Sequence, residues 1–338
     1  MISLSDSGSA ASTLARQNQM PVDSTRERIA EFIGLEVVSE HPPIQIVERQ
    51  SENGHTRSLV QYTLSDGDVV EAFLFEPERK SSKTSVLVLH QHNSQWTIGK
   101  SEIAGLAGDP MQAFGPALAR HSVTVIAPDA IRFESRLGMS GRGTQLTPTL
   151  TRPGGSAGGW LQYYNQMAHR LVQGDLLMRK MLSDCMAAIS VLQSINSDGM
   201  PIGAIGHSLG GGLALFLAAL DTRVAFTCSS GAAGSFRHKL AHGTGLELSL
   251  IIPGFAKQFD IEDVVRCIAP RKIFVVSSED DALSADADDV VQRARGVFEG
   301  MNCSERLEHL RSQGGHALDR HRFNAIVNWT LAQCHEAG

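Results

Sequence analysis

The stretch Ile202-Gly203-Ala204-Ile205-Gly206-His207-Ser208-Leu209-Gly210-Gly211-Gly212 constrains this chain more than any other. A run of strand character, Pro201–Ile205, enters a Gly-x-Ser-x-Gly turn, and an apolar helix over Leu209–Leu220 leaves it. The turn needs glycine on both sides because strand and helix close tightly on a serine whose backbone is strained. It lifts the serine hydroxyl out of the sheet. It also aims the helix N-terminus, with the Leu209 N–H first, at the point where an oxyanion forms. Gly-x-Ser-x-Gly alone is a weak signal, since both residue types are common. The strand before and the helix after give it meaning, making Ser208 the candidate nucleophile.

A serine hydroxyl needs a base, and the base needs an acid to orient it. After an elbow of this kind the acid and then the base follow in chain order, in loops at the carboxyl ends of strands. The strand-like run Lys272–Val276 leads into Glu279-Asp280-Asp281; Asp281 is favoured as the acid, Asp280 is second and Glu279 third. The competing view is a solvated acidic loop that caps the next helix. The run Leu307–Leu310 leads into Gln313-Gly314-Gly315-His316. Of the 13 histidines, His316 alone lies downstream of Asp281 in a strand-to-helix loop; His309 falls inside the strand, and His321 and His335 in the last helix or its tail. His316 is thus the candidate base. The run Ser85–His90 ends in His90-Gln91-His92-Asn93, where a backbone N–H is expected to be the second oxyanion donor, His92 first and Gln91 next. His90 and His92 have no third ligand at metal-binding spacing, so bracing of the loop by a ring nitrogen is expected, and neither a metal nor an organic cofactor.

The rest of the chain alternates strand and helix patterns. Ile44–Val47, Ser58–Leu64 and Val69–Phe75 read as strands, the last two joined by Ser65-Asp66-Gly67 in a hairpin. Ser85–His90, Val123–Ala127, Val224–Cys228, Lys272–Val276 and Leu307–Leu310 read as further strands. Helices are expected near Arg26–Phe32, Pro110–Arg120, Asp175–Ile195, Asp286–Phe298 and Arg320–Ala332. The fold class is therefore α/β: a mostly parallel sheet with helices on both faces and an antiparallel N-terminal edge. Residues 131–174 and 231–262 break the rhythm and are expected to form lid-like insertions in a single domain over 21–338. Residues 1–20, small and polar, are expected to be disordered.

Composition narrows the partners. A net charge of −6 without a basic run speaks against nucleic acid and an anionic membrane surface, and 6% aromatic residues do not favour stacking on bases or extended sugar chains. No segment has the apolar length of a membrane span, and the N-terminus lacks the basic start and apolar run of a signal peptide. Five scattered cysteines without metal spacing read as reduced core thiols of a cytoplasmic protein. Residues 1–64 offer a surface for a homodimer contact.

Leu89-His90-Gln91-His92-Asn93, Gly99-Lys100-Ser101-Glu102, Ala127-Pro128-Asp129 with Phe133-Glu134-Ser135-Arg136, Gly206-His207-Ser208-Leu209-Gly210-Gly211, Ala269-Pro270-Arg271 and Gly314-Gly315-His316 together resemble the dienelactone-hydrolase-like branch of the α/β-hydrolases, with its acetyl-xylan-esterase-like relatives. The resemblance runs from about Asp68 to the end. Dienelactone hydrolases proper carry cysteine at the nucleophile position, whereas this chain has Ser208, so the resemblance implies an esterase acting on a small-molecule ester. The same triad suits amide hydrolysis or acyl transfer in small-molecule biosynthesis, and a non-catalytic binding protein on the same fold is a third reading. Gln91, Arg132 and Trp160 are expected near the substrate. Arg132, Arg136 and Arg142, beyond the Asp129 strand end, offer bidentate contacts to a substrate carboxylate, against a favoured reading as salt-bridge braces.

Overall fold

Polar, alternating strands open the sheet. β1 (Gln45–Glu52) is exposed along nearly its whole length, β2 (His55–Thr63) pairs with it, and β3 (Val69–Pro77) pairs with β2, both antiparallel. The expected Ser65-Asp66-Gly67 hairpin joins β2 to β3, with Leu64 N–H donating to Asp68 O at 2.8 Å and Gly67 at φ 86°. A second hairpin, at Asn53-Gly54 with Gly54 at φ 82°, joins β1 to β2. It extends β1 well past Val47, because the polar residues 48–52 are held by the ladder and not by burial. The computed structural model describes residues 22–36, 41–79, 84–140, 144–145, 155–196 and 199–336. The expected disorder of 1–20 and the position of Arg142 lie outside them.

From β4 (Ser85–Leu89) onward the strands are short, apolar and buried on both faces: β5 (Thr124–Pro128), β8 (Ile202–His207), β9 (Val224–Ser230) and β10 (Lys272–Ser278), with β11 (Leu307–Ser312) at the far edge. The order is β1-β2-β3-β5-β4-β8-β9-β10-β11, antiparallel as far as β5 and parallel beyond it. A separate two-stranded ribbon pairs β6 (Met139–Ser140) with β7 (Thr144–Gln145). Side chains alternate as the pleat requires. Leu87 and Leu89 of β4 join one apolar cluster, and Val86 and Val88 join the other.

Helices fill both faces. Arg26 of α1 (Val22–Ile33) donates to the Ala219 and Cys267 carbonyls and ties that helix to the domain. After β4 come α2 (Lys100–Ile103) and α3 (Phe114–Ala119). The single helix expected over Pro110–Arg120 is broken into a 3-10 turn at Pro110–Gln112 and α3. Pro116 has no N–H for the Gln112 carbonyl, so a continuous helix would lose that bond and clash there. The 131–174 segment is less irregular than expected, because residues Gly155–Val172 form an 18-residue helix, α4. Glycines at 155, 158 and 159 hide it from a periodicity reading. A Cβ at Gly159 would lie 2.7 Å from the Trp96 ring, so close packing of α4 explains that glycine.

Helix α5 (Leu177–Ile195) buries Leu177, Met181, Cys185, Ala188 and Leu192, the face expected from spacing. Every residue of α6 (Leu209–Leu220) is buried, each leucine worth about 1.5–3 kcal/mol. The 231–262 segment holds α7 (Phe236–His242) and two 3-10 turns, Leu248–Leu250 and Phe255–Lys257. Next come α8 (Ile261–Arg266), α9 (Ala287–Gly300) and α10 (Arg320–Glu336). All five cysteines are buried free thiols. No helix among the described residues is long and apolar enough to cross a membrane.

Candidate active site

The β8–α6 turn has the backbone that its sequence requires. Ser208 sits at φ 56°, ψ −120°, a strained conformation for a residue with a Cβ, of order 1–3 kcal/mol. Its N–H is tied to Ser230 O of β9 at 2.8 Å, and Gly212 N–H closes back on Ser208 O at 3.0 Å. A Cβ at Gly210 would stand 2.0 Å from the Leu89 carbonyl oxygen, and one at Gly206 would stand 2.4 Å from Gly210 C. The end of β4 is therefore pressed against the elbow, and glycine is the residue that allows it. Leu209 begins α6, where the N–H has no acceptor in its own helix.

Loops from three parallel strands converge on the hydroxyl. His316, after β11, places Nε2 2.8 Å from Ser208 Oγ. Asp281, after β10, places Oδ1 3.1 Å from His316 Nδ1. That approach is close but not aligned as a straight hydrogen bond, as is common before substrate tightens such a site. Asp281 is buried and also accepts from Leu283 N–H at 3.0 Å and Ser284 hydroxyl at 2.6 Å. Burial acts to raise its pKa. The His316 ring, the Ser284 hydroxyl and the Leu283 N–H outweigh that and hold it below the usual carboxylate range. Asp280 and Glu279 are exposed, so of the three acids it is Asp281 that meets the histidine.

Two residues that sequence patterns do not reveal hold His316. Arg322, buried on α10, donates to the Gly315 and Ala317 carbonyls on either side of His316 and to Ser278 Oγ. His207 packs beside His316 with ring centroids 4.9 Å apart and has Nδ1 3.0 Å from Ser230 Oγ. Burial, and then the His316 and Arg322 charges, push its pKa down to about 3. The ring beside His316 is therefore neutral near pH 7.

The β4 loop is built from buried polar contacts. His90 Nδ1 meets Gln91 O at 2.8 Å, and its Nε2 accepts from Ala130 N–H at 3.1 Å, so both ring nitrogens brace the loop, as expected. His92 packs on Trp96, Phe133 and Tyr163, and its Nδ1 accepts from Ser94 N–H. Lys100 Nζ bridges Asp129 (2.7 Å), Glu134 (2.8 Å) and Glu71 (3.3 Å). Glu134 also accepts the Gly99 and Ser101 N–H groups. Lys100 and Glu134, which stand out in sequence, thus lock the loops that flank the elbow.

A cavity of about 210 Å³ opens beside Ser208 and Leu209, walled by Leu250, Leu283, Lys239 and Glu247. The 231–262 segment supplies much of this wall. Gln91, Arg132 and Trp160 are not part of its lining. The Gln91 side chain is buried and donates to Glu102 at 2.9 Å, so its amide is already spent. Arg132 is also buried and donates to Leu137 O and Gln162 Oε1, because its guanidinium closes α4 onto the loop after β5. Trp160 is half exposed and stacked on Tyr164 at 5.3 Å. Arg136 is fully enclosed between Asp68 (3.1 Å) and Asp184 (2.7 Å), a brace as favoured.

A second Ser-His-Asp grouping shows what the first has in addition. Ser277 Oγ lies 2.8 Å from His309 Nε2, and His309 Nδ1 lies 3.3 Å from Asp288. Ser277 is buried inside a parallel ladder, with no elbow and no helix N-terminus at its hydroxyl. It clamps β10, β11 and α9 together. Ser277→Ala is expected to cost about 1 kcal/mol of stability and to leave labelling of Ser208 by a fluorophosphonate intact, which a thermal melt and intact mass will report.

No family model matches this sequence. The chain is 26% identical over 287 residues to a Bacillus subtilis (strain 168) protein named "Putative hydrolase YtaP", spanning 81% of this chain and 87% of that protein. Among solved structures, "a putative acetyl xylan esterase" from Bacteroides fragilis NCTC 9343 superposes with a TM-score of 0.69 at 14% identity, over 98% of this chain and 96% of that one. "Glucuronoyl Esterase from Solibacter usitatus" superposes with a TM-score of 0.63 at 16% identity, over 91% and 92%. The strand order, the strained β8–α6 elbow and this likeness over nearly the whole chain agree: the protein has the α/β-hydrolase fold.

Proposed function

We propose that this protein hydrolyses a carboxylic ester of a small molecule through an acyl-enzyme on Ser208. The observation that carries the reading is the 2.8 Å approach of His316 Nε2 to Ser208 Oγ with buried Asp281 behind the ring. The names of the similar structures, an acetyl xylan esterase and a glucuronoyl esterase, support ester cleavage as the chemistry.

In this mechanism His316 Nε2 takes the hydroxyl proton as Ser208 Oγ attacks the ester carbonyl carbon. The Leu209 N–H and the His92 backbone N–H hold the oxyanion. The tetrahedral adduct collapses, the C–O bond to the alcohol breaks, and His316 gives its proton to the departing alkoxide. Water then loses a proton to His316 and attacks the acyl carbon. Ser208 leaves as the alkoxide, recovers the proton and frees the acid. Asp281 keeps Nδ1 protonated and stabilises the imidazolium.

Incubation with p-nitrophenyl butyrate, butyryl p-nitroanilide and a fluorophosphonate tests the reading. Ester turnover well above amide turnover is expected, with the fluorophosphonate adduct mapped to the Ser208 peptide. Folded protein that takes no label and turns over no ester overturns it.

A further inference from the structure

Lys239, on α7, is a buried cation that makes no direct salt bridge among the described residues. It lines the cavity beside Ser208 and is only 4% exposed. Its stem runs beside Gly234, where a Cβ would come within 3.2 Å of Lys239 Cε, and Nζ donates to Gly234 O at 2.7 Å. That is the one hydrogen bond its ammonium makes among the described residues, and it forms no ion pair with them. An ammonium has three donors, and a buried charge is costly unless paired.

The nearby carboxylates act on it from a distance, and each makes its hydrogen bonds to other groups. Asp286 is held by the Ser235 N–H and hydroxyl. Asp260 accepts from the Phe236 and Ile261 N–H groups and pairs with Arg237. Asp281 is turned to His316, Ser284 and Leu283. Burial lowers the pKa of Lys239, and these three acids oppose that from a distance. Glu247, also in the cavity wall, takes the Tyr163 hydroxyl at 2.6 Å.

We propose that the ligand supplies an anion in direct contact: the cavity takes an ester that carries a carboxylate, and Lys239 binds that carboxylate. This rests on the esterase reading for the reaction but not for the binding. It moves the carboxylate contact from Arg132 and Arg136, which are closed into internal bonds, to a residue of the 231–262 segment. The carboxylate belongs either to the acyl chain or to the alcohol.

The test measures kcat/KM for two matched pairs. Mono-p-nitrophenyl glutarate against p-nitrophenyl valerate places the charge on the acyl side. 4-(Butyryloxy)benzoate against phenyl butyrate places it on the alcohol. In one pair the charged ester is expected to be preferred, and Lys239→Met is expected to reduce that preference on the order of 10- to 100-fold, the worth of a charge-assisted hydrogen bond. Lys239→Arg is expected to keep most of it. A preference that is absent, or that K239M leaves within about twofold, overturns the inference while neutral-ester turnover leaves the esterase reading standing. If no ester is turned over, calorimetry with glutarate and with 4-hydroxybenzoate on wild type and K239M still decides. Saturable binding lost in K239M supports the anion site, and binding absent from both proteins, or equal in them, overturns it.

Discussion

Ser208→Ala is expected to lower kcat for p-nitrophenyl butyrate by about 10⁴-fold or more, with residual turnover owed to the oxyanion donors and to binding. The replacement removes the atom that His316 Nε2 meets at 2.8 Å and disturbs little else. The elbow is held by backbone, through Ser208 N–H to Ser230 O and Gly212 N–H to Ser208 O, and neither bond uses the hydroxyl. The variant is therefore expected to fold, and its melting curve checks this independently of activity. A folded S208A protein that keeps wild-type turnover is incompatible with the acyl-enzyme mechanism.

Asp281→Asn is expected to lower kcat about 10³- to 10⁴-fold, because an amide neither enforces the Nδ1–H tautomer of His316 nor stabilises its cation. Asp280→Asn, one residue away on an exposed side chain, is expected to stay within about threefold of wild type. The contrast separates a specific partner from a generally acidic loop. Stability carries a second signature. The carboxyl of Asp281 is depressed in the folded state, so its stabilising contribution is complete above the unfolded value of about 3.9 and is lost as pH falls through the folded value. Melting temperatures of wild type and D281N are therefore expected to draw together as pH falls below that range and to separate above it. Melts at intervals between pH 2 and 7 will show whether they do.

Much of this site was legible in the chain because its parts are local. Gly206, Ser208 and Gly210 announce the elbow, since the close approach of β4 to the turn leaves no room for a Cβ. Asp281 follows a strand that an apolar run reveals, His316 follows Gly314-Gly315 after the more polar edge strand, and chain order tells which loop bears the candidate acid and which the candidate base. The alternation of strand and helix gave the parallel half of the sheet, and the Gly67 turn gave the hairpin. Periodicity failed where another force set the structure. Helix α4 begins among glycines, one of which, Gly159, packs against Trp96, β1 is polar because the ladder holds it, and Pro116 interrupts what looks like one helix.

The sequence by itself determined the elbow, the order of the three candidate triad side chains and the fold class, because each follows from local backbone sterics and the period of burial. The tertiary structure decided which polar residues are free to act. Gln91, Arg132 and Arg136 are chemically suited to hold a substrate, but each is buried against a partner distant in sequence: Glu102, Gln162, and Asp68 with Asp184. Lys239 is unremarkable in the sequence and is left in the cavity wall with one backbone acceptor. Whether a charge is spent or available depends on what the fold brings within hydrogen-bond reach, and that is set by packing between elements far apart in the chain.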